Sequence, residues 1–473
     1  MNQTNGNHTK PSPTREVRPA LAVLFVCGAG LLLGAGAGSR VGESVRAPRW
    51  NVVLLMADTL RADHLSAYGY ERETSPWLDR FAETEAVLFE SAFSQAACTF
   101  PSVNSLLTSR YPQVFLGRED RSQGIPPEVP SLADLLRDEG YSTAAVSASP
   151  IVRATPSKHN PTAGFGRGFD TFHEDCHWRS ASCVTRAALD RLEDLTEPFF
   201  LYLHYMDPHS LYALPADAEP RFSGPYEGLD YIEAGDPNPI EAALYKEKRE
   251  PEVEERDIQH LVDLYDDSIR YMDRWWSVLV EELKSRGVWD RTIVLIVGDH
   301  GEELMERGHM GHCRTLSDAI LRTPLVIRVP GVEGGRRVDG VVQNLDLVPT
   351  VLELLGVRGR GEELEGRSLV DAIHGEGLAP DERYTFAWQA WQRSVRDGRY
   401  KLVRGIGGGP PRLFDLTSDP LELKDVSEEH REILRRLGRR LVQWRRLHEG
   451  SREEAAKAGQ EAMDQLKAVG YLQ

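Results

Sequence analysis

The chain has 473 residues, 41% of them hydrophobic, and a formal net charge of −17. That length supplies ample core for one large α/β domain or for two domains. The acidic balance argues against nucleic acid as a main partner, because backbone phosphates require a basic face. An anionic substrate would need a local positive centre made of a bound cation, histidines and arginines.

The first segment concerns targeting rather than fold. Lys10, Arg15 and Arg18 precede an apolar run from Ala20 to Leu33, and Ala35-Gly36-Ala37 follow with small residues at a signal-peptidase spacing. Residues 1–38 therefore read as a signal peptide. An uncleaved membrane anchor through residues 20–38 is the alternative, since that run is long enough to span a bilayer. Either reading sends the protein out of the cytoplasm, to the periplasm or the cell exterior. Cys98, Cys176, Cys183 and Cys313 remain beyond this segment, enough for two disulfides in an oxidising compartment. Cys176 and Cys183 are close enough in sequence for a small staple. No CxxC pair exists, which argues against a structural zinc site.

Asn51–Ala57 (NVVLLMA) reads as a buried parallel strand. Asp58 follows at its carboxyl end, where α/β sheets gather ligand groups; a helix cap is the alternative. In QAACTFPSVNSLLTSRYP a short helix is expected from Ser102 to Ser109, with Pro101 in its first turn. Thr99 then lies just ahead of a helix N-terminus, where free N–H groups and the dipole attract an anion. A hydroxyl there is placed to attack an anionic ester once a metal makes it an alkoxide; a plain capped helix is the bland reading. Ser131–Gly140 reads as a helix and Ser142–Ser147 as a strand. Phe199–Tyr205 is another buried strand, ending in Met206-Asp207-Pro208-His209.

Leu214–Val253 reads as a long surface insertion shaping a substrate entrance. Ile258–Arg286 has helical spacing, with Leu261, Leu264, Tyr265, Ile269, Met272 and Trp276 on the buried face. Thr292–Val297 is a third buried strand and delivers Asp299 and His300; GHMGHCR follows from Gly308 to Arg314. Leu325–Val329 reads as a strand and Leu347–Leu355 as a helix opened by Asp346. Tyr400–Val403 and Arg412–Leu416 suggest a small C-terminal sheet, and Glu428–Arg446 and Glu453–Val469 charged amphipathic helices. The expected division is 1–38, a catalytic α/β domain over 50–374, a small subdomain over 375–427 and a helical tail over 428–473.

Three apolar strands thus end in acid or histidine, and mixed carboxylate and imidazole ligands suit a divalent cation. With these stretches in view, the chain resembles the sulfatase branch of the alkaline phosphatase superfamily. The matching segments are NVVLLMADTLRADHLSAYGY, CTFPSVNSLLTSRYP, GFGRGFDTF, FFLYLHYMDPH, VGDHGEE, GHMGH, RYKLV and LFDLTSDPLE, spanning about Asn51 to Val426. The resemblance implies an alkaline-phosphatase-like fold: a central, mostly parallel sheet flanked by helices, with a small C-terminal sheet subdomain. It also implies one divalent metal ion (Zn, Mn, Mg or Ca) on Asp58, Asp299 and His300. His209 and His312 match histidines that hold ester oxygens or protonate the leaving group. Arg61 would orient the first ligand or is simply structural, and Arg61 and Arg314 are candidates for contact with the substrate. Thr99 falls where sulfatases carry a cysteine converted to formylglycine.

The departures from the family pattern have a chemical direction. Thr59 replaces a second aspartate, Val103 replaces an arginine, and Arg314 and Arg322 are the only basic residues where a lysine is expected. A threonyl ester has no second hydroxyl with which to collapse to an aldehyde, so water or another alcohol must attack phosphorus or sulfur directly. The resemblance associates threonine nucleophiles with phosphate-ester rather than sulfate-ester chemistry, and one carboxylate fewer favours zinc or manganese over calcium. If Thr99 and His312 line one pocket, Cys98 and Cys313 come close enough to bridge; two free thiols are the alternative. The expected activity is hydrolysis of an anionic ester on a small molecule, glycan or lipid. A membrane-associated phospho-alcohol transferase and a non-catalytic binding protein on the same fold are the competing readings.

Overall fold

The computed structural model describes residues 49–116, 124–176, 180–210, 212–228, 253–357, 364–378, 383–449 and a few positions between 457 and 464. The N-terminal targeting segment, most of the expected insertion and most of the last expected helix lie outside them. No helix among the described residues is long and apolar enough to cross a membrane.

The main sheet is built on three apolar strands, Asn51–Ala57 (β1), Phe199–Tyr205 (β5) and Thr292–Gly298 (β6), in which every residue is buried. β1 lies between the other two and runs parallel to both, with Ala57 level with Tyr205 on one side and Gly298 on the other. Ser142–Ser147 (β3) and Thr171–His173 (β4) continue the sheet in parallel beyond β5. On the other flank, Val87–Phe93 (β2) pairs in parallel with Arg336–Gln343 (β11). Leu325–Arg328 (β10), wedged between β2 and β6, runs antiparallel to both, and Arg322–Thr323 (β9) pairs antiparallel with β2. Glu303–Leu304 (β7) and Met310–Gly311 (β8) form a separate ribbon beside the sheet.

Both faces of the sheet are covered, which explains why its central strands are apolar runs rather than alternating patterns. From β1, Val52, Leu54 and Met56 enter one core, with Pro101-bearing Thr99–Thr108 (α2), Leu132–Asp138 (α3), Leu347–Leu354 (α7) and Val370–His374 (α8). Val53, Leu55 and Ala57 enter the other, with Pro76–Thr84 (α1), Ala181–Asp194 (α4) and Glu255–Ser285 (α5). All six apolar positions expected on the inner face of α5 are buried. Asp318–Leu321 (α6) is a short turn at the sheet edge.

Two local expectations are adjusted. α2 begins at Thr99 rather than Ser102, with Cys98 as its N-cap; Pro101 is accommodated because first-turn N–H groups have no partner within the helix. The C-terminal sheet has four antiparallel strands, Thr385–Gln389 (β12), Gln392–Arg396 (β13), Tyr400–Gly405 (β14) and Arg412–Asp415 (β15). The first hairpin escapes a sequence reading because Ala390-Trp391 carries no glycine or asparagine turn signal. Arg431–His448 (α9) packs Leu437, Leu441 and Trp444 onto this sheet.

Candidate active site

Because β1, β5 and β6 are parallel and in register, their carboxyl ends deliver their following residues to one edge of the sheet. Asp58 N donates to Tyr205 O at 2.9 Å, and Asp299 N donates to Ala57 O at 3.2 Å, so backbone bonds hold both acids. β2 runs in the same direction, and the loop after it brings the N-terminus of α2, and with it Thr99, to the same edge.

Asp58, Asp299 and His300 are completely buried, and one ligand atom of each lies within 4.8 Å of the others. His300 Nε2 stands 3.5 Å from Asp299 Oδ2, 3.8 Å from Asp58 Oδ1 and 3.4 Å from Thr99 Oγ1. Asp299 is otherwise satisfied: Oδ1 accepts from Thr59 N and His300 N, and Oδ2 accepts from the Ser102 hydroxyl at 3.0 Å. Asp58 Oδ2 pairs with His204 Nε2 at 3.2 Å, whereas its Oδ1 is buried with no hydrogen bond among the described residues. A bare carboxylate oxygen beside a second carboxylate and an imidazole, all out of water, is costly unless a cation sits among them. The three residues therefore fit a divalent metal.

Electrostatics agree with that picture. Burial and the neighbouring Asp58 charge hold the Asp299 carboxyl well above the ordinary range. Burial pushes Asp58 the same way, but the His204 hydrogen bond and nearby histidine charges outweigh it and keep Asp58 low. Burial, with the His312 charge, lowers the His300 imidazole to about 4.

The two remaining histidines join the group. The His209 and His312 rings are 5.0 Å apart between centroids, and His312 lies 4.7 Å from His300. His312 Nδ1 and Glu302 Oε1 are hydrogen-bonded at 2.8 Å. Burial raises Glu302 to about 7; burial, aided by the Arg314 charge, lowers His312 to about 4. Arg314 thus stands within electrostatic reach of His312.

Arg61 does not join them. Its guanidinium is spent on Asp63 through two bonds, on Glu302 O and on Glu306, and its side chain is 3% exposed. Held in this way, Arg61 braces the loop after β1. Thr59, in the place of the family's second aspartate, adopts φ 55°, unusual for a β-branched residue. Its conformation is held by its N–H on Asp299 and by the Tyr265 hydroxyl, which donates to Thr59 O at 2.7 Å.

Both cysteine pairs are bonded: Cys176 with Cys183, and Cys98 with Cys313 across 215 residues. The second bridge joins the residue before Thr99 to the residue after His312. His204, Glu302 and Ser102 are the site-building residues that the sequence reading missed. His204 hides inside an apolar strand; Glu302 carries a signal, two positions after His300 in VGDHGEE.

A sequence model of the Sulfatase family matches residues 50–357, and one described as N-sulphoglucosamine sulphohydrolase, C-terminal, matches residues 308–447. The chain is 22% identical over 424 residues to Delta 4,5-hexuronate-2-O-sulfatase of Bacteroides thetaiotaomicron, an alignment covering 81% of this chain and 88% of that protein. To human steryl-sulfatase it is 25% identical over 447 residues, covering 75% of each. Among solved structures, the phosphonate monoester hydrolase of Agrobacterium radiobacter matches with a TM-score of 0.69 at 20% identity, covering 85% of this chain and 96% of that one.

Proposed function

The chain belongs to the sulfatase family, and from that premise we propose that it is an exported, metal-dependent hydrolase whose nucleophile is Thr99 and whose preferred bond is a phosphate ester rather than a sulfate ester. The observation that carries this reading is the Thr99 hydroxyl at the buried N-terminus of α2, 3.4 Å from His300 in the Asp58–Asp299–His300 group. Cys98, the only neighbouring alternative for a formylglycine, is engaged in a disulfide. The two disulfides also support a location outside the cytoplasm.

Asp58, Asp299 and His300 would hold the cation, with zinc or manganese favoured by an imidazole and only two carboxylates. Once bound, it would supply positive charge that lowers the hydroxyl's pKa and balances the ester's oxygens. Thr99 Oγ1 attacks phosphorus in line, the P–O bond to the leaving alcohol breaks, and the ester is left on the threonine. His209 and His312 hold the oxygens and supply the leaving group's proton, with Glu302 fixing His312 through Nδ1. Water then attacks phosphorus, giving a proton back to the histidine that protonated the leaving group, and the P–O bond to Thr99 breaks. The helix N-terminus favours negative charge throughout. A saccharide carrying the ester is supported by the hexuronate sulfatase relative.

Turnover of a panel of phosphomonoesters, phosphodiesters and aryl sulfates by metal-quantified protein tests the reading. The expected order places a phosphate ester at least tenfold above every aryl sulfate in kcat/KM; the reverse order overturns it.

A further inference from the structure

A second feature lies on the outer side of α9. Arg435, Arg439 and Arg446 of that helix and Arg404 of β14 line a cleft of about 730 Å³ over Gly438, with no acidic residue in its lining among the described residues. Two neighbouring arginines of α9 are paired, Arg436 with Asp397 and Arg445 with Glu449. The four in the cleft are exposed, apart from any ion pair among the described residues. In a protein of net charge −17, four unneutralised guanidinium groups around one concavity form a local field of opposite sign to the whole. Gly438 adds an independent sign. Glycine in a helix interior costs about 1 kcal/mol relative to alanine, and a Cβ built there meets nothing within 4 Å. The helix thus carries an open floor where a side chain would otherwise stand.

We propose that this cleft binds a linear acidic polysaccharide, gripping its sulfate or carboxylate groups between Arg404 and the arginine row of α9. The row from Arg435 to Arg446 extends roughly 16 Å along the helix, and each guanidinium presents a fork matched to an oxyanion. Among the described residues no aromatic ring lines the cleft, so they offer no platform for stacking nucleic-acid bases. Val442 and Leu447 of the lining are exposed, but Leu437, Leu441 and Trp444 of α9 are buried on the C-terminal sheet, so the helix lacks the broad free apolar face that lying on a membrane needs. The choice of a polysaccharide over an acidic peptide rests on the reading that a saccharide carries the ester. The cleft is remote from the reacting centre. Trp444 of α9 packs on Tyr111, which lies beyond the far end of α2 from Thr99, and α2 alone is roughly 15 Å long. Holding a polymer there raises the effective concentration of its esters at the sheet edge.

Fluorescence anisotropy of labelled dextran sulfate with the full protein tests this, alongside neutral dextran, polyglutamate and phosphatidylserine vesicles. Wild-type protein should bind dextran sulfate saturably, with affinity falling as salt rises, and bind the other three at least tenfold more weakly. The combined variant Arg404→Gln, Arg435→Gln, Arg439→Gln, Arg446→Gln should lose at least tenfold in affinity while hydrolysing a small ester at the wild-type rate. Gly438→Leu keeps every charge but fills the floor, and should also weaken binding. Thr99→Ala should bind normally, so a failed nucleophile assignment leaves this result untouched. The proposal is overturned if wild-type protein does not bind dextran sulfate, if the arginine variant binds as tightly as wild type, or if polyglutamate or the vesicles compete equally for the same arginines.

Discussion

Asp58 is positioned by two atoms that do different jobs: Oδ2 is held by His204, and Oδ1 is left facing the other ligands. Outer partners of this kind fix the orientation and basicity of a metal ligand, and their loss costs roughly 10–100-fold in metal affinity. His204→Ala is therefore expected to weaken metal binding by about that factor, read by titration of metal-free protein, with the far-ultraviolet circular dichroism of the fold unchanged. Unchanged affinity would show that His204 only fills space. At this scale the sequence is informative where a functional group interrupts a pattern. Asp58, Asp299 and His300 stand immediately beyond apolar strands, and Thr99 precedes a proline in a helix's first turn. His204 breaks no such boundary. It lies within FFLYLHY, where strand burial makes it look like core, and only the pairing of β5 with β1 reveals its partner.

Elements carry these residues to one place. Asp58 and Asp299 depend on the parallel register of β1 and β6, and Thr99 and His312 come from an N-terminus and a loop stapled by the Cys98–Cys313 bridge. The C-terminal sheet is locked to the body by a buried ionic cluster. Lys401 of β14 is fully buried and donates to Asp318 at the start of α6, at 2.8 Å, and to Glu422, at 2.9 Å. Removing one partner of a buried pair strands the other charge and costs about 3–5 kcal/mol. Lys401→Met should lower the unfolding free energy by about 3 kcal/mol in denaturant melts; a change under about 0.5 kcal/mol would mean that Arg396, which also pairs with Asp318, and Arg307, 3.6 Å from Glu422, neutralise the two acids without it. β14 and β15 are legible in the sequence as short apolar runs around a glycine-proline turn. Their salt-bridge partner in α6 is not, because nothing local in Asp318-Ala319-Ile320-Leu321 points across the 83 residues to Lys401.

Over the whole molecule, the order of apolar strands and helices discloses an α/β sheet covered on both faces, and the family resemblance refines it. The antiparallel insertion of β10 between β2 and β6 cannot be read from LVIR, since a fully buried strand has the same composition in either direction. The arginine cleft of α9 was visible only as a charged amphipathic helix; whether its arginines are paired is a question of tertiary neighbours. The central claim is that a threonine hydroxyl beside a two-acid, one-imidazole metal group is the attacking atom. Its most direct test is steady-state turnover of the best phosphate ester by Thr99→Ala, at wild-type metal content and an unchanged melting profile. The account predicts a loss in kcat of at least about 10³-fold, since the covalent route is closed. A variant turning over within tenfold of wild type would contradict it.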